Sequence, residues 1–199
     1  MKLIVISPEA EDAREPTVLA SLFAAGLTSF HLRKPTWSRE QLAAYLRAVA
    51  AEFHPRIVLH SHHDLATEFR IGGVHERDTP EIQSNPIGYF VRSRAAHDLA
   101  ALRTALDTYD RLLVSPIFPS FSKPGYGRSS QFPEADLRAA LALPRRAEVI
   151  ALGGIDASRI AACRELGFDG VAVLGAVWLA SDPVRAFNDL QNSLHAHAA

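Results

Sequence analysis

The sequence has one cysteine, Cys163, among 199 residues. An internal disulfide is therefore excluded, as is a zinc module built on paired cysteines. Excess charge is also missing: 21 Lys and Arg stand against 22 Asp and Glu, a formal charge of −1. That balance argues against nucleic-acid binding driven by bulk charge. There is no long hydrophobic run. After Lys2, residues 3–6 are apolar and the run then stops at Ser7. A signal peptide needs roughly 7–15 such residues, and a membrane span about 20. The expectation is a soluble cytoplasmic protein with no membrane and no nucleic-acid partner. What is present, 48% apolar and 22% charged residues, is the mixture of a folded domain and not of a disordered chain.

Short β-branched runs alternate with stretches of helical periodicity. Strands are expected at 3–6, 29–33, 57–60, 73–75, 87–91, 111–114, 148–152 and 170–173. Between them, apolar residues recur at helical spacing, as in Val18, Leu19, Leu22 and Phe23, or Leu42, Tyr45, Leu46 and Val49. Ser38 and Gln41 have the spacing of a capping box. Gly167 is placed to stop the helix lined by Ile160, Cys163 and Leu166, where Cys163 reads as a small buried hydrophobe. Asp182-Pro183 opens the last helix. Strict alternation implies parallel strands with helical crossovers. Eight such units across residues 1–199 suggest one compact (β/α)8 TIM-barrel domain. The alternative is an open doubly wound sheet, but no G-x-G-x-x-G follows the first strand.

In a barrel, active sites lie at the C-terminal ends of the strands. Those ends carry His31, Arg33 and Lys34; His60 with Ser61, His62 and His63; His75; Arg92 and Ser93; Gly153 and Gly154; and Leu174 and Gly175. His31 and Arg33 share one strand face, with Phe30 and Leu32 on the other. Glycines after strands seven and eight suit a phosphate, because backbone N–H groups can approach an anion there; tight turns are the plainer explanation. The histidines could ligate a metal, as in a hydrolytic site, or simply be solvated. Their spacing fits no metal motif such as H-E-x-x-H. The segment 115–132 holds Ser120, Ser122, Lys123, Gly125, Tyr126, Gly127 and Arg128. Hydroxyls, cations and glycines in a long loop suit a mobile lid over an anion.

Five segments taken together resemble thiamine phosphate synthase and its relative, the thiazole tautomerase TenI. They are His31-Leu32-Arg33-Lys34, Gly73-Val74-His75, the run from Ser115 to Lys123 (SPIFPSFSK), Ala151-Leu152-Gly153-Gly154-Ile155, and the run from Gly167 to Val173 (GFDGVAV). The resemblance implies a (β/α)8 barrel that joins hydroxymethylpyrimidine pyrophosphate to a thiazole phosphate and releases pyrophosphate. It implies small phosphorylated substrates and Mg2+ as cofactor, and leaves a homo-oligomer open. It assigns Arg33, Lys34 and Lys123 to the pyrophosphate. His31, Ser93, Ser120 and Ser122 fall at substrate positions, with Gly153, Gly154, Leu174 and Gly175 at the thiazole phosphate. His60 and His75 join the set as strand-end imidazoles, His60 as an acid–base group. The departures are specific. His31 replaces the usual Gln. His60 and Ser61 stand where the family has Asn-Asp, so the magnesium carboxylate is missing. Glu76 and Asp78 are out of register with the second family aspartate. Pro116 occupies the place of the tautomerase histidine. The competing readings are therefore a TenI-like tautomerase, or a phosphate-binding paralogue without catalysis.

Overall fold

A computed structural model describes residues 1–77, 90–119 and 131–196. Eight parallel strands pair in chain order: β1 (Lys2–Ile6), β2 (Ser29–Leu32), β3 (Ile57–Leu59), β4 (Gly73–Glu76), β5 (Val91–Ala96), β6 (Arg111–Val114), β7 (Glu148–Leu152) and β8 (Gly170–Val173). Ile4 on β1 lies opposite Ala172 on β8, which closes the barrel. The helices are α1 (Glu15–Ala24), α2 (Arg39–Ala48), α3 (Leu65–Phe69), α4 (Leu99–Ala105), α5 (Glu134–Leu141), α6 (Ile160–Leu166), α7 (Gly175–Trp178) and α8 (Pro183–His195). The fold is the expected TIM barrel. No helix among the described residues is long and apolar enough to cross a membrane.

Local chemistry explains the boundaries. The Ser38 hydroxyl accepts from the Gln41 N–H, and the Gln41 side chain accepts from the Ser38 N–H, so α2 starts on a complete capping box. The Asp98 carboxylate accepts from the Ala101 N–H and the Asp182 carboxylate from the Arg185 N–H, which caps α4 and α8. Gly167 takes φ 99° and ends α6, a conformation that costs glycine little.

One expected strand is misplaced. The fifth was expected over 87–91, but β5 begins at Val91 and runs to Ala96. The expectation followed an apolar run, of which residues 87–89 lie outside the described set. The real strand reads Val-Arg-Ser-Arg-Ala-Ala, because it faces a polar part of the interior.

The barrel interior is lopsided. Ile4, Ile6, Leu113, Ile150 and Ala172, from β1 and β6–β8, pack as an apolar cluster. Burying each large side chain there stabilises the fold by about 1.5–3 kcal/mol. The opposite wall, from β2, β4 and β5, carries the buried polar groups His31, His75 and Ser93. At the N-terminal end, Arg111 bonds Glu148 Oε2 at 3.1 Å and Ser29 Oγ at 3.1 Å, and Lys2 also pairs with Glu148. That ionic layer plugs the bottom, so access is from the C-terminal end.

Candidate active site

Two adjoining cavities form the C-terminal mouth. The first, about 540 Å³, is bordered by Arg33, His60, His75, Arg77, Arg94 and His97. Ile6, Leu113, Leu152 and Leu174 supply its apolar surface. The second, about 740 Å³, lies between the segment after β1 and the ends of β6–β8. Pro116, Gly153, Gly154, Gly175 and Trp178 line it. Glu9, Ser115, Leu152 and Leu174 border both, so the mouth is continuous.

The glycine corner has a tight backbone. Gly153 and Gly154 have φ of 99° and 60°. A Cβ on Gly154 would stand 2.1 Å from the Pro119 carbonyl oxygen. The chain after β6 is held against this corner, with the Ile117 N–H donating to Leu152 O and the Phe118 N–H to Gly153 O. Gly175 opens α7, a single turn after β8. A short extra helix at this place is where barrels commonly meet a phosphate.

The imidazoles come together through barrel closure. His31 on β2, His60 just after β3 and His75 on β4 occupy adjacent inward positions. His31 Nδ1 is 3.0 Å from His60 Nε2. The His60 and His75 rings stack, 4.1 Å between centroids and 20° between planes. His75 Nδ1 is 3.0 Å from Ser93 Oγ, and the Ser93 hydroxyl donates to Val74 O at 3.2 Å. Ser93 must therefore accept from the Nδ1–H of His75, which leaves His75 Nε2 as a lone pair. His31 and Ser93 border neither cavity; they lie beneath His60 and behind His75.

All three rings are held neutral. Burial pushes His31 and His60 well below the ordinary imidazole value, and the neighbouring His75 adds to this. Burial also pushes His75 down to about 4, helped by His63 and Arg33. A charged ring would lose its hydration without gaining a carboxylate.

The cations divide. Arg33 stands at the rim, about half exposed and paired with Glu9. Lys34, expected at the pyrophosphate, is fully buried. Its Nζ lies 2.6 Å from Glu15 Oε2, 3.1 Å from Ala10 O and 4.8 Å from the Trp37 ring centroid. Tyr45 OH donates to the other Glu15 oxygen at 2.9 Å. The ammonium is thus already neutralised within the fold. Ser120, Ser122 and Lys123 lie outside the described residues, as does Asp78.

Arg77, Arg94, His97 and Glu9 were missed from sequence. Arg94 and His97 follow from the shifted register of β5, whose end lies beyond Ser93. His97 Nδ1 is 3.1 Å from the Ser115 carbonyl, beside Pro116.

The magnesium that the resemblance implies does not fit the described residues of the first cavity. Mg2+ takes hard oxygen ligands, usually one or two carboxylates with phosphate and water. Glu76 alternates onto the outer face of β4. Its carboxylate is taken by Arg92 Nε at 3.0 Å and Tyr109 OH at 3.0 Å. Glu9 is occupied by Arg33. In the resemblance, Ser61 stands at the place of the family's Asp and His60 at that of its Asn.

Residues 3–177 match the family model described as thiamine monophosphate synthase. That span runs from β1 through most of α7 and includes the first cavity and all of the second except Trp178 and Leu179. The chain belongs to the thiamine monophosphate synthase family. The chain is 31% identical over 180 residues to a thiamine-phosphate synthase of Desulfitobacterium hafniense, covering 84% of this chain and 83% of that protein. With a thiamine-phosphate synthase of Methanoculleus marisnigri it shares 29% identity over 199 residues, 94% of this chain and 91% of that one. The crystal structure of a thiamine phosphate pyrophosphorylase from Bacteroides thetaiotaomicron superposes with a TM-score of 0.80 at 26% identity over the whole of both chains. The family's barrel is therefore kept, while the β2–β4 wall of this mouth is imidazole.

Proposed function

We propose that this mouth couples a pyrimidine-methyl pyrophosphate to a thiazole phosphate, as in thiamine phosphate synthases. The observation that carries the reading is the continuous two-chamber mouth, basic and imidazole on one side, glycine-lined on the other. Two phosphorylated substrates need two anion sites a short distance apart, with an apolar surface between them for flat rings. Leu152 and Leu174 border both chambers and supply that surface.

In the coupling, the bond between the pyrimidine methylene carbon and a pyrophosphate oxygen breaks. Its electron pair leaves with the pyrophosphate. The thiazole nitrogen lone pair then forms the new C–N bond, and the ring becomes a thiazolium without a proton being lost. The developing charge is on the departing pyrophosphate, so cations facing it lower the barrier. Arg33, Arg77 and Arg94 are assigned that role, with His97 at the rim. The Gly153, Gly154 and Gly175 corner is assigned the thiazole phosphate. His31, Ser93 and Lys34 support the site from below and beside it.

Incubation with both substrates, with and without added divalent cation, tests this. Thiamine phosphate and pyrophosphate are expected in equal amounts. Saturable binding of the thiazole phosphate without product would establish the non-catalytic paralogue instead. A second reading, acid–base isomerisation of a thiazole carboxylate, is favoured by the placement of His97 beside Pro116. Isomer interconversion lost in His97→Gln would support it.

A further inference from the structure

We infer that His31, His60 and His75 form a binding site for one divalent transition ion of the zinc class. One ring nitrogen from each lies within 4.8 Å of the other two. A tetrahedral ion with Zn–N bonds of about 2.0–2.1 Å brings its nitrogens to about 3.4 Å. The nitrogen separations thus need to close by about 1.4 Å at most, from 4.8 Å to that spacing, and the stacked His60 and His75 rings turn to face one point. Imidazole is a borderline ligand that suits Zn2+, Co2+, Ni2+ and Fe2+ and suits Mg2+ poorly.

Three further observations point to a ligand. The first is orientation. Ser93 holds Nδ1–H of His75 and leaves Nε2 as the free donor atom, which is how supporting hydrogen bonds fix metal-binding histidines. The second is a close nitrogen pair. His31 is 0% exposed, and its Nδ1 lies 3.0 Å from His60 Nε2. In the present tautomer His31 and His60 share a single proton between Nδ1 and Nε2; an ion between them would replace that proton. The third is access. His60 and His75 border the first cavity while His31 lies below it, so three ligands close one side and the fourth position faces the mouth. Three neutral ligands leave the ion's charge uncompensated. An anion entering the mouth, such as pyrophosphate, would complete the coordination and balance it.

Metal binding here does not depend on which reaction the mouth performs, and it is read without either thiazole or pyrimidine substrate. Chelator-treated protein is titrated with Co2+, and visible ligand-field absorption and stoichiometry are followed, with Zn2+ as competitor. One ion per chain is expected, with a spectrum of low coordination number. His31→Gln and His75→Gln should each weaken binding at least ~100-fold. Ser93→Ala, which keeps every ligand, should weaken it about 10–100-fold. Added inorganic pyrophosphate should tighten Co2+ at least ~10-fold, and Co2+ should tighten pyrophosphate by the same factor. Circular dichroism and melting of each metal-free variant verify folding. The inference is overturned if Co2+ binds wild type no more tightly than the two histidine variants. It is equally overturned if binding survives in them and disappears in His62→Gln or His63→Gln. Failure of the coupling assay alone leaves it standing.

Discussion

Replacing Lys34 separates a phosphate-binding lysine from a structural one. The side chains of Lys34 and Glu15 are 0% and 2% exposed, and Nζ lies 2.6 Å from the carboxylate. Burial raises the Glu15 carboxyl above its ordinary value, and Lys34 and Tyr45 hold it down. Lys34→Met removes the main counter-charge and leaves a buried carboxylate with one hydroxyl donor. Breaking one side of a buried pair costs about 3–5 kcal/mol. For a chain of this size that is a loss of roughly 6–20 °C in melting temperature. The double variant Lys34→Met with Glu15→Leu removes both charges. It leaves the Tyr45 hydroxyl and the Ala10 carbonyl without these partners, at about 1–3 kcal/mol each; the Ala10 loss is common to both variants, so the double variant should melt above Lys34→Met. The assay is urea or thermal unfolding of both variants and wild type, with isothermal titration of inorganic pyrophosphate alongside. The double variant should recover pyrophosphate affinity to within ~3-fold of wild type. The reasoning is refuted if Lys34→Met is as stable as wild type yet loses pyrophosphate binding.

Acid should destabilise the metal-free protein. The unfolded chain binds protons on its histidines below the ordinary value of 6.5, while His75 in the fold resists until about 4. Stability is therefore full above pH 6.5 and falls as pH drops toward 4. His75 alone accounts for about 2 kcal/mol of loss by pH 5. His75→Gln should show a shallower decline in urea midpoint between pH 8 and 5; an unchanged decline would contradict this. Gly154→Ala places a Cβ 2.1 Å from Pro119 O at a φ of 60°. It should cost about 1–3 kcal/mol and weaken thiazole phosphate binding, whereas Gly26→Ala, remote from the mouth, should leave that binding unchanged. Burial pushes the Cys163 thiol up to about 12. It should resist a thiol reagent at neutral pH until the protein unfolds; rapid labelling of the native state would contradict its placement in the core.

The barrel was legible because its apolar strands are short and sharply bounded. β6, β7 and β8 have the expected bounds, 111–114, 148–152 and 170–173. β5 was not, because its inward Ser93 and its arginines belong to a polar wall and a surface network. The inward face of His31 followed from simple alternation. Its meeting with His60 and His75 did not, since that distance is created by strand register across β2, β3 and β4. Lys34 shows the same limit. Its partner Glu15 lies 19 residues earlier, on α1. Nothing local distinguishes a lysine facing a phosphate from one facing that carboxylate. Glycines after β7 and β8 were readable because backbone geometry is encoded locally.

A crystal structure with thiamine phosphate and pyrophosphate soaked together tests the two-chamber mouth most directly. The thiamine phosphate group should lie against Gly154 and Gly175. Pyrophosphate should lie against Arg33 and the His60 and His75 rings, with the ring systems over Leu152 and Leu174. Both ligands outside the C-terminal mouth, or an empty mouth under saturating soaks, would contradict the account.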